Sequence, residues 1–241
     1  MKVKVLSWNI WCGTHLDKVI NFLETANADI LALQEVTQDE RGNVAEIIAN
    51  TLEYQYVYTT DVDMPLKYLP DYDQDNERTI KMGNAILSKY EILDSKEHYL
   101  FENKGRSIIE AKIKIKDTVL NVFSIHLKHT HQQQLNLQDL QAGNLLQLLP
   151  QENTIVMGDF NSLPESGVIQ RVSKVLQNTE KESHQTPTWS VYREGCTECL
   201  IDKIVHKLDY IFISKNLRSN SFHVYQSKAS DHLPVSVMVA I

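Results

Sequence analysis

The chain has 241 residues, 42% of them apolar and 23% charged, which allows a buried core and excludes a disordered tail or a collagen-like fibre. Lysine and arginine number 24 against 31 aspartates and glutamates, for a formal charge of −7. That total announces no protein that grips nucleic acid mainly through its phosphates, although it leaves room for a local positive groove.

From the N-terminus, Val3 and Val5 alternate with charged residues in a strand that ends at Asn9. No continuous apolar signal core opens the chain, and no run approaches the about 20 apolar residues that cross a bilayer. These features point to a cytoplasmic protein without a transmembrane segment. Leu16, Val19, Ile20 and Leu23 recur at helical spacing, with Thr14 and Asp17 placed to cap the helix. DILAL (29–33) is a short apolar strand that delivers Gln34 and Glu35 at its end. Val44, Ile47, Ile48 and Leu52 form a second amphipathic helix, and YQYVY (54–58) a third strand.

Residues 61–82 break this rhythm. They carry six acids against Lys67, Arg78 and Lys81, with Pro65, Pro70, Tyr68 and Tyr72 among them. A connection of this length without periodicity is expected to be functional or mobile. NAILS (84–88), ILDSKEHYL (92–100), SIIEAKIKI (107–115) and TVLNVFSIHL (118–127) then read as successive strands. Leu137, Leu140, Leu145, Leu148 and Leu149 mark a helix before the strand TIVMGD, and Ile169, Val172 and Leu176 mark another. LDYIFI (208–213), FHVYQ (222–226) and PVSVMVA (234–240) complete the set. About ten strands and four helices, in both hairpin and strand–helix–strand arrangements, fit an α/β fold of two packed sheets with helices outside. No linker, repeat or low-complexity tract divides the chain, so residues 1–241 read as a single domain, expected to be monomeric.

Polar groups fall repeatedly at strand ends. Asn9, Glu35, His126, Asp159 with Asn161, Asp209, and Asp231 with His232 each follow or lie within an apolar run. Acids are rarely set against a core without a compensating partner. A divalent metal explains the set economically, and oxygen-rich ligation without cysteine suits Mg²⁺ or Mn²⁺.

SWNIW (7–11), LQEV (33–36), GNAILS (83–88), SIHL (124–127), GDFN (158–161), TPTW (186–189), LDYIF (208–212) and SDHLPV (230–235) together resemble the endonuclease/exonuclease/phosphatase superfamily. The likeness spans residues 3–240 with the motifs in the family's order. It implies a four-layered α/β sandwich, two packed, mostly antiparallel sheets flanked by helices, with the site at one mouth. It also implies that Glu35 is the principal metal-binding carboxylate, with Asn9 beside it and Asp231 as a second acidic ligand. By the same resemblance Asp159 orients or deprotonates the attacking water, and Asn161 binds phosphate or water. His232 contacts the scissile phosphoryl group with Asp209 as its buried partner. His126 matches a second histidine of the deoxyribonuclease-like and sphingomyelinase-like branches.

Several further residues stay open between function and packing. Arg106 precedes a strand and suits bidentate phosphate binding, or is a solvated strand-entry arginine. Asn84 and Glu77 lie where some relatives support the second histidine. Thr188 and Trp189 shape a wall beside the site or simply pack. HLKHTHQQQ (126–134) adds His129 and His131, which read better as a solvated helix start than as zinc ligands. Cys196 and Cys199 form a lone CTEC with His206 downstream, which reads as a surface loop with two thiols and leaves redox pairing or zinc as alternatives, and Cys12 is expected to pack near the site. The expected reaction is metal-dependent phosphodiester hydrolysis of nuclease type. The 61–82 segment offers Tyr68, Tyr72 and Leu69, of which the tyrosines could stack on a single-stranded or end-exposed nucleic acid or equally line the pocket of a small phosphodiester. The acidity of the segment opposes generic duplex binding. The alternatives are a small-molecule or lipid phosphohydrolase and, last, a catalytically silent binding module.

Overall fold

The computed structural model describes residues 1–60, 62–69, 73, 75–100, 106–129, 136–181, 185–193 and 203–241. In chain order the elements are β1 (Lys2–Asn9), α1 (Leu16–Ala26), β2 (Ile30–Asp39), β3 (Gly42–Asn43), α2 (Val44–Leu52), β4 (Gln55–Tyr58), β5 (Val62–Pro65), β6 (Thr79–Ser88) and β7 (Glu91–Tyr99). They continue with β8 (Ser107–Ile115), β9 (Thr118–His126), α3 (Asn136–Leu148), β10 (Thr154–Asp159), α4 (Gly167–Val175), β11 (Gln177–Asn178), β12 (Asp209–Ile213), β13 (Arg218–Val224) and β14 (Val235–Ala240). One sheet runs β13-β14-β1-β2-β6-β4, with β3 on β2 and β5 on β6; the other runs β11-β12-β10-β9-β8-β7. Each sheet is mixed, with one parallel pair, β1 with β2 and β9 with β10.

Alternation along the strands builds the layers. Val3 and Val5 of β1 face the gap between the sheets, where they meet Ile30, Ala32, Ile113, Val122, Ile155 and Ile211. Leu6 and Trp8, on the opposite face, pack with Val19 and Leu23 of α1 and Ile48 of α2. On the far side, Phe123, Val156 and Phe212 pack against Ala142 and Leu145 of α3 and Val168 and Val172 of α4. The result is the expected helix–sheet–sheet–helix sandwich.

Local differences from the sequence expectations have local causes. Thr14 does not cap α1: its hydroxyl donates to the Trp11 carbonyl, and His15 stands at the N-cap without a side-chain bond. In α3 Leu140 is 52% exposed, and the inner face instead buries Gln138 and Gln141, which bond backbone groups. The 61–82 segment is more structured than its composition suggests. β5 pairs with β6, and Leu66, Leu69, Ile80 and Met82 pack around Cys12. Leu69 is thus a core residue and not a substrate contact, while Tyr68 is 59% exposed. Tyr72, Cys196, Cys199 and His131 lie outside the described residues.

Candidate active site

Register sets the polar groups in two rows. Across the first sheet Asn9 pairs with Gln34 and Gln34 with Asn84; across the second His126 pairs with Asp159 and Asp159 with Asp209. All six continue the inward-facing parity of Val5, Ala32, Ile86, Val122, Met157 and Ile211, so the apolar filling between the sheets turns polar at one mouth. Beneath the rows Gln34 links the sheets, accepting from Ser7 Oγ at 3.4 Å and donating to Ser124 Oγ at 3.1 Å. Two motif glycines let the backbones close up here. A Cβ on Gly83 would lie 1.8 Å from the Thr59 carbonyl oxygen, and one on Gly158 (φ +154°) 2.0 Å from that of Ile125.

Glu35 follows Gln34 and by strict alternation belongs to the opposite face. The β2–β6 register shifts between Gln34 and Val36, and Glu35 itself has φ +55°. That bulge re-aims the carboxylate, bringing Oε1 to 3.9 Å from His126 Nε2. Trp11, Cys12, Arg106 and Asn161 also have positive φ. Left-handed backbone at non-glycine residues costs about 1–3 kcal/mol each and concentrates at functional sites.

Asp159 is the hub. Its Oδ2 accepts from Asn9 Nδ2 at 3.2 Å and lies 3.4 Å from His126 Nε2 and 3.6 Å from His232 Nε2; its Oδ1 accepts from the Asn161 backbone N–H at 2.8 Å. Burial drives the Asp159 carboxyl above the usual carboxylate range, against the pull of His232. Asp231 is likewise driven up by burial, with Glu35 adding to the push. Trp189 Nε1 donates to its Oδ2 at 3.0 Å, and Ser230 Oγ lies 3.3 Å from its Oδ1.

The two histidines differ. Burial alone would hold His232 neutral, but Asp209, Asp159 and Asp231 reverse this and lift it well above 6.5. Its Nδ1 donates to Asp209 Oδ2 at 2.9 Å, leaving Nε2 toward Asp159. His126 is pushed well below 6.5, first by burial and then by Arg106. Arg106 Nη1 lies 3.0 Å from His126 Nε2 and closer still to Nδ1, so this ring accepts.

The remaining expectations are met unevenly. Asn84 is buried and donates to the Ser107 carbonyl at 2.8 Å, while its Oδ1 has no partner among the described residues. Glu77 is exposed on an ion pair with Lys67, away from His126. Trp189 is a buried residue whose indole N–H is committed to Asp231, and Thr188 Oγ1 accepts from the backbone of Leu208 and Asp209. Cys12 packs as expected, against Met82 and Glu35; burial raises its thiol well above its ordinary value. The supports went unread in the sequence. Ser230 Oγ donates to the Asn9 carbonyl at 2.7 Å and accepts from the His232 N–H at 3.2 Å, Trp8 Nε1 donates to the His232 carbonyl at 2.9 Å, and Gln138 Nε2 to that of Asn161 at 2.7 Å. Ser230 could have been suspected from its place inside SDHLPV; a helical glutamine carries no such signal.

The model of the Endonuclease/Exonuclease/phosphatase family matches residues 6–232. The chain belongs to this family. Among solved structures, a family member from Beutenbergia cavernae DSM 12333 is similar over 100% of this chain and 72% of its own, at 17% identity and a TM-score of 0.79. The human Nocturnin catalytic domain with bound sulfate aligns over 99% and 94% (20% identity, TM-score 0.70). The mannosyl-6-phosphatase of Bacteroides thetaiotaomicron VPI-5482 aligns over 99% and 100% (18%, 0.68). No curated protein matches. Among the described residues no helix is long and apolar enough to cross a membrane.

The site fits the divalent metal that the Endonuclease/Exonuclease/phosphatase family implies. Asp159, Asp209 and His232 each offer a ligand atom within 4.8 Å of the others. Among the described residues, the His232 ring lies against Asp159, Asp209 and Asp231, and Lys207 faces Asp209. A divalent cation offsets the burial, and the lesser mutual repulsion, that lift the buried acids, and an oxygen-rich donor set suits a hard ion. Family membership and this cluster make the protein a metal-dependent phosphoric ester hydrolase.

Proposed function

We propose that the protein is a Mg²⁺- or Mn²⁺-dependent phosphodiesterase of nuclease type, a cytoplasmic monomer acting on single-stranded or end-exposed nucleic acid. The observation that carries this reading is the convergence of Asn9, His126 and His232 on one oxygen of Asp159, at 3.2, 3.4 and 3.6 Å. Such a carboxylate, held by Asn9 and the Asn161 backbone, is placed to position a water and take its proton. Glu35, Asp231 and Asn9 would hold the metal. His232 Nδ1 bonds Asp209 Oδ2 at 2.9 Å, and this pair orients and charges the ring. When bound, the metal withdraws charge from the phosphoryl oxygens and stabilises the leaving alkoxide.

The charged His232 ring donates from Nε2 to a phosphoryl oxygen in the transition state. Arg106, whose guanidinium lies on His126, donates to a second oxygen, and neutral His126 keeps that guanidinium aimed. Asn161 Nδ2, bonded to the Leu127 carbonyl at 3.0 Å, steadies the turn that carries it. Asn84 supports the start of β8 beside Arg106, Trp189 holds Asp231, and the exposed Tyr68 would flank the entering strand. The charge of −7 and the acidic 61–82 segment support a substrate other than generic duplex. A small phosphoester is the second reading, favoured by the similarity to a mannosyl-6-phosphatase over nearly the whole of both chains.

The test is a parallel screen of single-stranded DNA and RNA, plasmid, lipid headgroup esters and sugar phosphates with wild type and Asp159→Ala. Single-stranded cleavage that EDTA abolishes, that Mg²⁺ or Mn²⁺ restores and that Asp159→Ala lacks is expected. Hydrolysis of sugar phosphates or lipid headgroups alone would replace the nuclease reading.

A further inference from the structure

Outside the acidic cluster, an aromatic group stands at the metal side of the mouth. Trp11 and Tyr192 stack with ring centroids 5.4 Å apart and planes at 25°, and His15 sits 5.9 Å from Tyr192 and 6.3 Å from Trp11. Both stacked residues are tied to the proposed metal ligands by the backbone. The Trp11 N–H donates to Asn9 Oδ1 at 3.1 Å. Val191, which precedes Tyr192, donates its N–H to the Asp231 carbonyl at 2.8 Å. Two residues of chain span at most about 7 Å, so the backbones of Trp11 and Tyr192 lie close to those ligands.

Their setting is not that of ordinary packing. Trp11 belongs to none of the apolar clusters of the sandwich, and it is held at φ +48° ahead of Cys12 at φ +54°. The carbonyl of Cys12 is clamped by Arg41 Nη2 at 3.1 Å and that of Gly13 by Nη1 at 2.9 Å. Tyr192 is fixed through its hydroxyl, which donates to the Lys228 carbonyl at 2.7 Å. Trp11 is almost covered, whereas Tyr192 and His15 are half-buried. A covered indole thus backs a partly open tyrosine ring, and neither ring spends a charge.

We infer that Tyr192, backed by Trp11 and edged by His15, is a stacking platform for the nucleobase next to the scissile phosphate. The inference rests on the proposed nuclease reading and deepens it: a flat π-face beside the phosphoryl site favours phosphodiesters that carry a base over those that carry only sugar or glycerol. Stacking of this kind is sequence-tolerant, because every base has a π-face. It also needs no basic groove, in keeping with a net charge of −7.

The test compares a short single-stranded oligonucleotide with its abasic counterpart of equal length and charge, using wild type, Tyr192→Leu and Tyr192→Phe. Tyr192→Leu is expected to raise KM for the base-bearing strand about tenfold, with kcat retained and the abasic KM unchanged. Tyr192→Phe keeps the ring, loses the bond to Lys228, and is expected to behave as wild type. An equal KM rise on both strands, or none on either, overturns the platform. Equilibrium binding of adenosine 5′-monophosphate against ribose 5-phosphate separates the two readings. If neither strand is cleaved, yet the nucleotide binds about tenfold tighter and Tyr192→Leu erases the difference, the platform stands and the nuclease reading falls. Equal binding of the two ligands removes the platform whatever the protein cleaves.

Discussion

His126 and His232 are both 4% exposed, both stand at the mouth of the sandwich, and both reach the same oxygen of Asp159. Their charges are nevertheless opposite in design. His232 has Asp209 behind it, a carboxylate on Nδ1 that together with Asp159 and Asp231 outweighs the desolvation of the ring. His126 has Arg106, a cation that adds to desolvation. Burial pushes both rings toward the neutral form; the charges beside them reverse that push at His232 and add to it at His126. One histidine becomes a donor to the phosphoryl group and the other an acceptor that holds an arginine.

The largest effect is expected from removing the charged member. His232→Gln should lower kcat about 10²–10⁴-fold, the range of a positioned acid–base group. His126→Gln should fall less, because a glutamine oxygen can still accept from Arg106. Steady-state kinetics on one phosphodiester would decide, and equal losses would break the distinction between the rings.

Next comes Asp209→Asn, which keeps the shape and removes the charge. The His232 ring should then titrate lower than in the wild type, because burial is opposed only by Asp159 and Asp231. At pH 7 kcat should fall about 100-fold, as for a removed orienting partner, and activity should recover as pH is lowered. The two rings also have opposite linkage to folding. The stabilisation from charged His232 is fully present below about pH 6.5, the unfolded value, and is lost as pH rises through its raised folded value. For His126 the folded value is depressed, so the unfolded chain takes up the proton first and stability is lost as pH falls below about 6.5. Urea unfolding across pH 5–9 should show His232→Gln flattening the alkaline limb and His126→Gln the acidic one; the reverse assignment would refute both charges.

The pair also shows how far sequence carries the reading. GDFN and SDHLPV expose Asp159 and His232 because each polar residue interrupts an apolar run, and a resemblance in motif order then links them to Asp209. The sandwich was legible from the alternation in β1 and in β8, where one face is buried in the gap and the other carries the exposed Lys112 and Lys114. Glu35 was legible as a residue but not as a direction, since strict alternation points it away from the mouth and only the β2 bulge turns it in. Arg106 and Ser230 sit in loops, where position depends on contacts between distant segments. β5 escaped notice because Val62–Pro65 is too short to show a period, and the acids around it conceal Leu66 and Leu69, which pack on Cys12.

The smallest expected effect is the most specific to the comparison. Arg106→Gln removes the cation from His126 without touching Asp209 or His232. If Arg106 helps to hold His126 neutral, the ring should then titrate closer to 6.5, although burial still holds it below, and His232 should stay charged; nuclear magnetic resonance of the two ring protons reads both at once. Loss of one charged hydrogen bond to phosphate is worth about 1.5–3 kcal/mol, so kcat/KM should fall by at least about tenfold, mostly through KM. A fall in kcat as large as that of His232→Gln would place Arg106 with the donor and not with the acceptor. An unchanged His126 titration would mean that burial alone keeps that ring neutral, and the two histidines would differ through the acids beside His232 only.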